Sequence, residues 1–204
     1  MRTQAAQRFP ILKPFPTDYD FFRGGRHREI RRVYIHCSAT GQGDAEAFDY
    51  YHRVQNGWNQ IGYHFVINNG AGDKIGFPAG IIQMGRPMSK QGAHVKGDNA
   101  YTIGICLVGN WDFELFDILD ARVQSAIYLT EALIEAFSPE VLLHRDAGKV
   151  PGVPNPGKTC PGKNFDGGAF EQCLLDQLGR HPARLLYEQI YKSFIQRYRG
   201  YKVI

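Results

Sequence analysis

Four short apolar runs, RRVYIHCSA, IGYHFVIN, TIGICLVGN and VLLH, punctuate residues 31 to 144, and a single long amphipathic run, DARVQSAIYLTEALIEAFS, separates the last two. Apolar runs this short, bounded by turn formers, read as strands rather than helices. In the first, Val33 and Ile35 alternate with Tyr34 and His36. The long run, residues 120 to 138, keeps Val123, Ile127, Leu129, Ile134 and Phe137 on one apolar stripe and stops at Pro139, which predicts a helix. Short strands interleaved with helices make a mixed α/β chain the expectation.

Other elements fall around this frame. Asp44 can cap a helix through about Val54, with Ala47, Phe48, Tyr51 and Val54 sharing one side. The strand VLLH ends on His144, and a proline- and glycine-rich loop runs from Gly148 to Gly162. A helix follows around FEQCLLDQL. A last helix is expected in PARLLYEQIYKSFIQRYRGY, where Leu186, Ile190, Phe194 and Tyr198 align every four residues, flanked by Arg184, Lys192, Arg197 and Arg199.

With 204 residues and 43% hydrophobic content, the chain is long enough for one domain with a core. Its net charge of +4 conceals a split: residues 1 to 32 and residues 180 to 204 carry +5 each, so the body between them is acidic. Basic ends predict an anionic partner or surface, or simply solvated termini. No window approaches the roughly 18 apolar residues of a membrane span. Arg8, Pro10, Lys13 and Pro14 break up the N-terminal run, so no signal peptide is expected and synthesis in the cytoplasm is.

Four cysteines and seven histidines prompt a search for a metal site. Cys37, Cys106, Cys160 and Cys173 are too sparse for a disulfide framework, so free thiols are expected. His36 and His144 end predicted strands, and Cys160 lies in the loop beyond. Separations of 108 and 16 residues do not fit a zinc finger, but they suit a catalytic zinc that draws three ligands from different elements. On spacing alone, solvated or hydrogen-bonded histidines remain the alternative. By strand alternation Cys37 faces away from His36 and is expected in the core, as is Cys106, and Cys173 reads as a buried free thiol. His64 is expected to face away from Tyr63, and His27, His52 and His181 carry no assigned role.

The runs YIHCSAT, IGYHFVI, GRPMSKQGAHVKGDN, TIGICLVG, LLHRD and KTCPG occur in this order. With them the chain resembles the zinc-dependent N-acetylmuramoyl-L-alanine amidases, a family that includes phage lysins and peptidoglycan recognition proteins. The resemblance covers residues 31 to 178 and implies an α/β fold with a central mixed β-sheet flanked by helices and a single zinc in a surface groove. It implies His36, His144 and Cys160 as zinc ligands, Tyr63 and Lys158 as the catalytic pair, and His94 as a substrate-binding histidine of the groove. Cys160 would be a thiolate through the metal and nearby positive charge. The organisation expected is a basic N-terminal extension at 1 to 30, a catalytic domain at 31 to 179 and a basic amphipathic C-terminal helix at 180 to 204.

The activity so implied is hydrolysis of the amide between N-acetylmuramic acid and L-alanine of peptidoglycan stem peptides. The expected setting is a phage or prophage endolysin that reaches the wall with a holin's help. Alternatives are a non-catalytic peptidoglycan-binding module, or a lysin that also regulates a phage RNA polymerase. Peptidoglycan is the expected partner, with anionic envelope lipid or lipopolysaccharide at the C-terminal tail, no nucleic acid, and a monomeric state.

Overall fold

The computed structural model describes residue 11 and residues 29–71, 77–155, 157–177 and 182–197. Five strands form one sheet: β1 (Arg32–Cys37), β2 (Phe65–Ile67), β3 (Ile82–Met84), β4 (Thr102–Leu107) and β5 (Glu140–Leu143), in the order β3-β2-β4-β1-β5. β2, β4, β1 and β5 run parallel, and β3 is antiparallel to β2. Helices α1 (Ala45–Val54), α2 (Ala121–Phe137), α3 (Gly167–Gln177) and α4 (Pro182–Arg197) complete the expected α/β architecture with a mixed sheet.

Strand alternation divides the chemistry between the two sheet faces. Val33, Ile35, Ile103, Ile105, Leu107, Phe65 and Ile67 point into the main core, where Val123, Ala126, Ile127 and Leu129 of α2 meet them. The other face carries Tyr34 and His36 of β1, and in register with them Gly104 and Cys106 of β4. Parallel sheets bury both faces, which is why every residue of β4 is buried. The polar face, at the carboxyl ends of β1 and β5, is where the candidate site lies.

α2 fits its sequence pattern closely. The Asp120 side chain accepts from the Arg122 amide at the start, and Ser138 caps the end in the left-handed conformation, at φ 51°. α1 begins as expected, the Asp44 side chain accepting from the Ala47 amide. Its buried face differs, however: Ala45, Asp49 and His52 point inward while Tyr51 and Val54 are exposed. Asp49 Oδ1 accepts from the Ile61 amide at 2.8 Å and His52 Nδ1 from the Gly62 amide at 3.1 Å, so two polar residues turn inward to satisfy a distant loop. β2 itself is only three residues long. The amides of 61 and 62 are taken by α1, and cross-strand bonds begin with the His64 amide, which donates to the Gly104 carbonyl at 2.9 Å.

β5 likewise ends at Leu143, and His144 opens a 3-10 turn, His144–Lys149, instead of closing the strand. The Arg145 amide donates to the Cys160 carbonyl at 2.7 Å and draws the chain off the sheet. β3, three residues long, is too short to show a period in sequence.

The chain ends are partly described. Ile11 is fully buried with Phe77 and Ile81 and bridges Gln83 of β3, while the rest of 1–28, including His27, lies outside the described residues. α4 packs along α2, with Tyr187 stacked on Tyr128 at 5.0 Å between ring centroids. Leu186 and Ile190 are half-buried; the side chains of Arg184, Phe194 and Arg197, and all of His181, Tyr198 and Arg199, lie outside the described set.

Candidate active site

Three elements bring His36, His144 and Cys160 together. His36 sits near the carboxyl end of β1, His144 follows β5 on the neighbouring strand, and Cys160 comes from the long loop. One donor atom from each lies within 4.8 Å of the others, a grouping that could hold a metal ion. Both histidines are buried and Cys160 is half-buried. The His36 and His144 rings are 4.5 Å apart between centroids, and Cys160 Sγ is 3.8 Å from His36 Nδ1.

The loop is held by hydrogen bonds as well as by its prolines. The Arg145 guanidinium donates to the carbonyls of Gly162 and Phe165, and the Asn155 amide side chain donates to the Arg145 carbonyl. On the other side Asp112 accepts from the Thr159 hydroxyl and the Lys163 amide, both at 2.8 Å, and these contacts hold its carboxyl below the usual range. Cys160 therefore sits between two clamps, one from each flank.

Electrostatics prepare the histidines but not the thiol. Burial first, then the neighbouring His144, His94 and Lys158, push His36 well below its ordinary value. Burial and then Lys158 bring His144 down to about 4. Both rings are thereby neutral, the form that ligates a metal. Cys160 is pushed up, by its hydrogen bond with Cys37 first and burial second. With Cys37 and burial holding the thiol protonated, its deprotonation falls to a bound metal. The Cys37 amide points at Cys160 Sγ at 3.4 Å.

The remaining candidates gather around this cluster. Tyr63 precedes β2, its ring 5.4 Å from His36 and 5.7 Å from His52. Burial, and secondarily the sulfurs of Cys106, Cys160 and Cys37, raise its phenol well above the ordinary value, so it stays protonated. Lys158 is exposed, yet its charge reaches both His36 and His144. His94 is buried, with Nδ1 3.1 Å from His36 Nε2.

Several residues enter the site that alternation misassigned or sequence did not single out. His64 lies on the same side as Tyr63 because residues 61 to 64 are not a strand. Its Nδ1 accepts from the Gly104 amide, and its Nε2 faces the Lys90 carbonyl. Cys106 is buried as expected, but it pairs in register with His36 and its sulfur acts on the Tyr63 phenol. Cys37 lies in the core and also contacts Cys160. Thr102 and Asp98 stand behind His94. His52 stacks on Trp58 at 4.8 Å, extending the ring surface from Tyr63 toward solvent.

A family model described as N-acetylmuramoyl-L-alanine amidase matches residues 26–163. The endolysin of Enterobacteria phage T3 is 32% identical over 141 residues, covering 66% of this chain and 80% of that protein. The endolysin of Klebsiella phage KP32 is 33% identical over 90 residues, 43% of this chain; the chain spans 53% of that relative's length, about half. Among solved structures, the endolysin amidase LysCS from Clostridium intestinale URNW shares the fold, with a TM-score of 0.59 and 23% identity over 86% of this chain and 93% of that one. The matched span of the family model takes in β1 to β5 and all three converging donor residues, and on that span the chain belongs to the N-acetylmuramoyl-L-alanine amidase family.

Proposed function

We propose that this protein is a zinc-dependent amidase that hydrolyses the bond between the lactyl group of N-acetylmuramic acid and the L-alanine of peptidoglycan stem peptides, and that it serves as a phage or prophage endolysin. The observation that carries the proposal is the convergence of His36, His144 and Cys160 donors within 4.8 Å. Two imidazoles and a thiolate suit zinc. Tetrahedral bonds of about 2.0–2.1 Å to nitrogen and about 2.3 Å to sulfur put those two atoms about 3.6 Å apart, and the Cys160 Sγ to His36 Nδ1 distance of 3.8 Å is close to that. Three protein ligands with a fourth position open is the pattern of catalytic sites.

Zinc bound there would supply Lewis acidity toward the scissile carbonyl and a water whose pKa is near 7. The chain's own residues do the rest. His36 and His144 ligate without first losing a proton, whereas Cys160 must release one, so loading is favoured as pH rises. Tyr63 retains its proton and so acts as a hydrogen-bond donor toward the substrate or the attacking water, not as a base. Lys158, on the clamped loop, offsets negative charge developing on the carbonyl oxygen. The ring surface formed by Tyr63, His52 and Trp58 offers an apolar wall beside the reacting bond.

The site of action proposed is the cell wall, after holin-type release; among the described residues no helix is long and apolar enough to cross a membrane. A contact of the C-terminal segment with anionic envelope lipid would fall to its basic charge, because Tyr187 is spent on α2. The proposal is tested by removing metal with a chelator: wall cleavage should stop, return with zinc, and track one zinc per chain. Full activity of Cys160→Ser in excess chelator would overturn it.

A further inference from the structure

His36 has two ring nitrogens, and only one faces the cluster it shares with His144 and Cys160. Nδ1 is the nitrogen 3.8 Å from Cys160 Sγ, while Nε2 lies 3.1 Å from His94 Nδ1. Between two neutral rings at that distance one nitrogen donates and the other accepts. The choice is made at the far side of His94. There Nε2 lies 3.3 Å from Thr102 Oγ1, and that hydroxyl lies 2.8 Å from the backbone carbonyl of Asp98. A carbonyl only accepts, so the single hydroxyl proton goes to Asp98 and the oxygen lone pairs face His94. His94 Nε2 must then carry its ring's proton, its Nδ1 is bare, and His36 Nε2 donates to it. What remains on His36 is the lone pair of Nδ1, aimed at the metal cluster.

The pocket around His94 is shaped to keep this arrangement. A Cβ on Gly104 would stand 2.6 Å from the His94 ring, and one on Gly92 would stand 2.5 Å from it, so both glycines leave the space the ring fills. His64 closes another side edge-on, 5.6 Å between centroids. Asn99 Oδ1 accepts from the backbone amides of His94 and Val95 at 2.8 and 2.9 Å. Asp98, which ends the chain of bonds through its carbonyl, is itself fixed through its carboxylate by Arg32 and Tyr34.

We infer that His94 and Thr102 are positioning residues: their directional hydrogen bonds fix His36 as the Nε2–H tautomer and present its Nδ1 to the metal. This gives His94 a role behind the ligand and not one of substrate contact. It rests on the reading of the cluster as a zinc centre. Partners of ligating histidines commonly set metal affinity by about 10- to 100-fold.

The test uses the full chain with zinc affinity, measured by chelator competition, and nitrogen-15 NMR of the histidine rings. In metal-free wild type both His36 and His94 should be Nε2–H tautomers. Thr102→Val, which keeps the side-chain shape and removes the hydroxyl, should weaken zinc binding about tenfold or more and leave His94 in mixed tautomers. Thr102→Ser should restore both. A His94 Nδ1–H tautomer in the wild type, or unchanged zinc affinity and tautomers in Thr102→Val, would overturn the inference. The wild-type tautomers decide it even if Thr102→Val does not fold. A wild type that binds no zinc would instead sink the zinc reading, and the metal-free tautomers keep the two failures apart.

Discussion

The backbone amide of Arg145 donates to the carbonyl of Cys160 at 2.7 Å, joining the two segments that carry the second and third candidate ligands. The same arginine bonds the Gly162 and Phe165 carbonyls through its side chain. Arg145→Ala leaves those carbonyls unpaired and should cost about 1–3 kcal/mol of stability, while loosening the Cys160 loop. Arg145→Lys should recover little, because one ammonium cannot reproduce the planar fork. Denaturant midpoints at constant slope, together with zinc affinity, check this; unchanged affinity in Arg145→Ala would mean that the loop holds itself.

Lys158 is exposed, and its field reaches His36 and His144. Lys158→Ala should keep one zinc per chain and lower kcat by about 10²- to 10³-fold, as loss of an oxyanion-stabilising group does. Loss of metal in that variant would reassign the lysine to holding the site together.

Glu131 is buried on α2, and among the described residues neither carboxylate oxygen has a hydrogen-bond partner. Burial, and then Glu135, raise it from an ordinary 4.5 to about 7. A raised carboxyl gives stability that is complete below its unfolded value and is lost as pH rises through its folded one. The protein should therefore lose stability between about pH 4.5 and 7 from this group. Glu131→Gln should flatten that part of the profile and gain about 1–2 kcal/mol at pH 8, discounted for partial screening. An identical pH profile in the variant would assign the dependence elsewhere.

Tyr187 is fully buried, stacked on Tyr128, with its hydroxyl 3.4 Å from the Ile82 amide. Tyr187→Ala should cost about 3–5 kcal/mol, the usual loss for a buried aromatic. Thermal unfolding measures it. Unchanged stability would show that the C-terminal segment is an appendage, not part of the body.

The candidate ligands were legible because their flanking motifs occur in order, although nothing in a separation of 108 residues says that His36 and His144 meet. Parallel pairing of β1 with β5 brings them together. What escaped sequence reasoning depends on contacts made at a distance. Asp49 and His52 turn inward for amides ten or more residues away, which moves the buried face of α1. Alternation failed for His64 because it precedes the regular strand, which begins only at Phe65. The inward set of His94 requires Gly92 of its own loop together with Thr102 and Gly104 of β4, a meeting that no local pattern announces.

The most direct measurement is mass analysis of the products released from purified peptidoglycan by the zinc-loaded protein. Intact stem peptides with a free L-alanine amine, alongside glycan strands bearing unsubstituted lactyl groups, are the predicted result. Release of disaccharide muropeptides, or of fragments cut within the stem peptide, would contradict the assignment of the scissile bond.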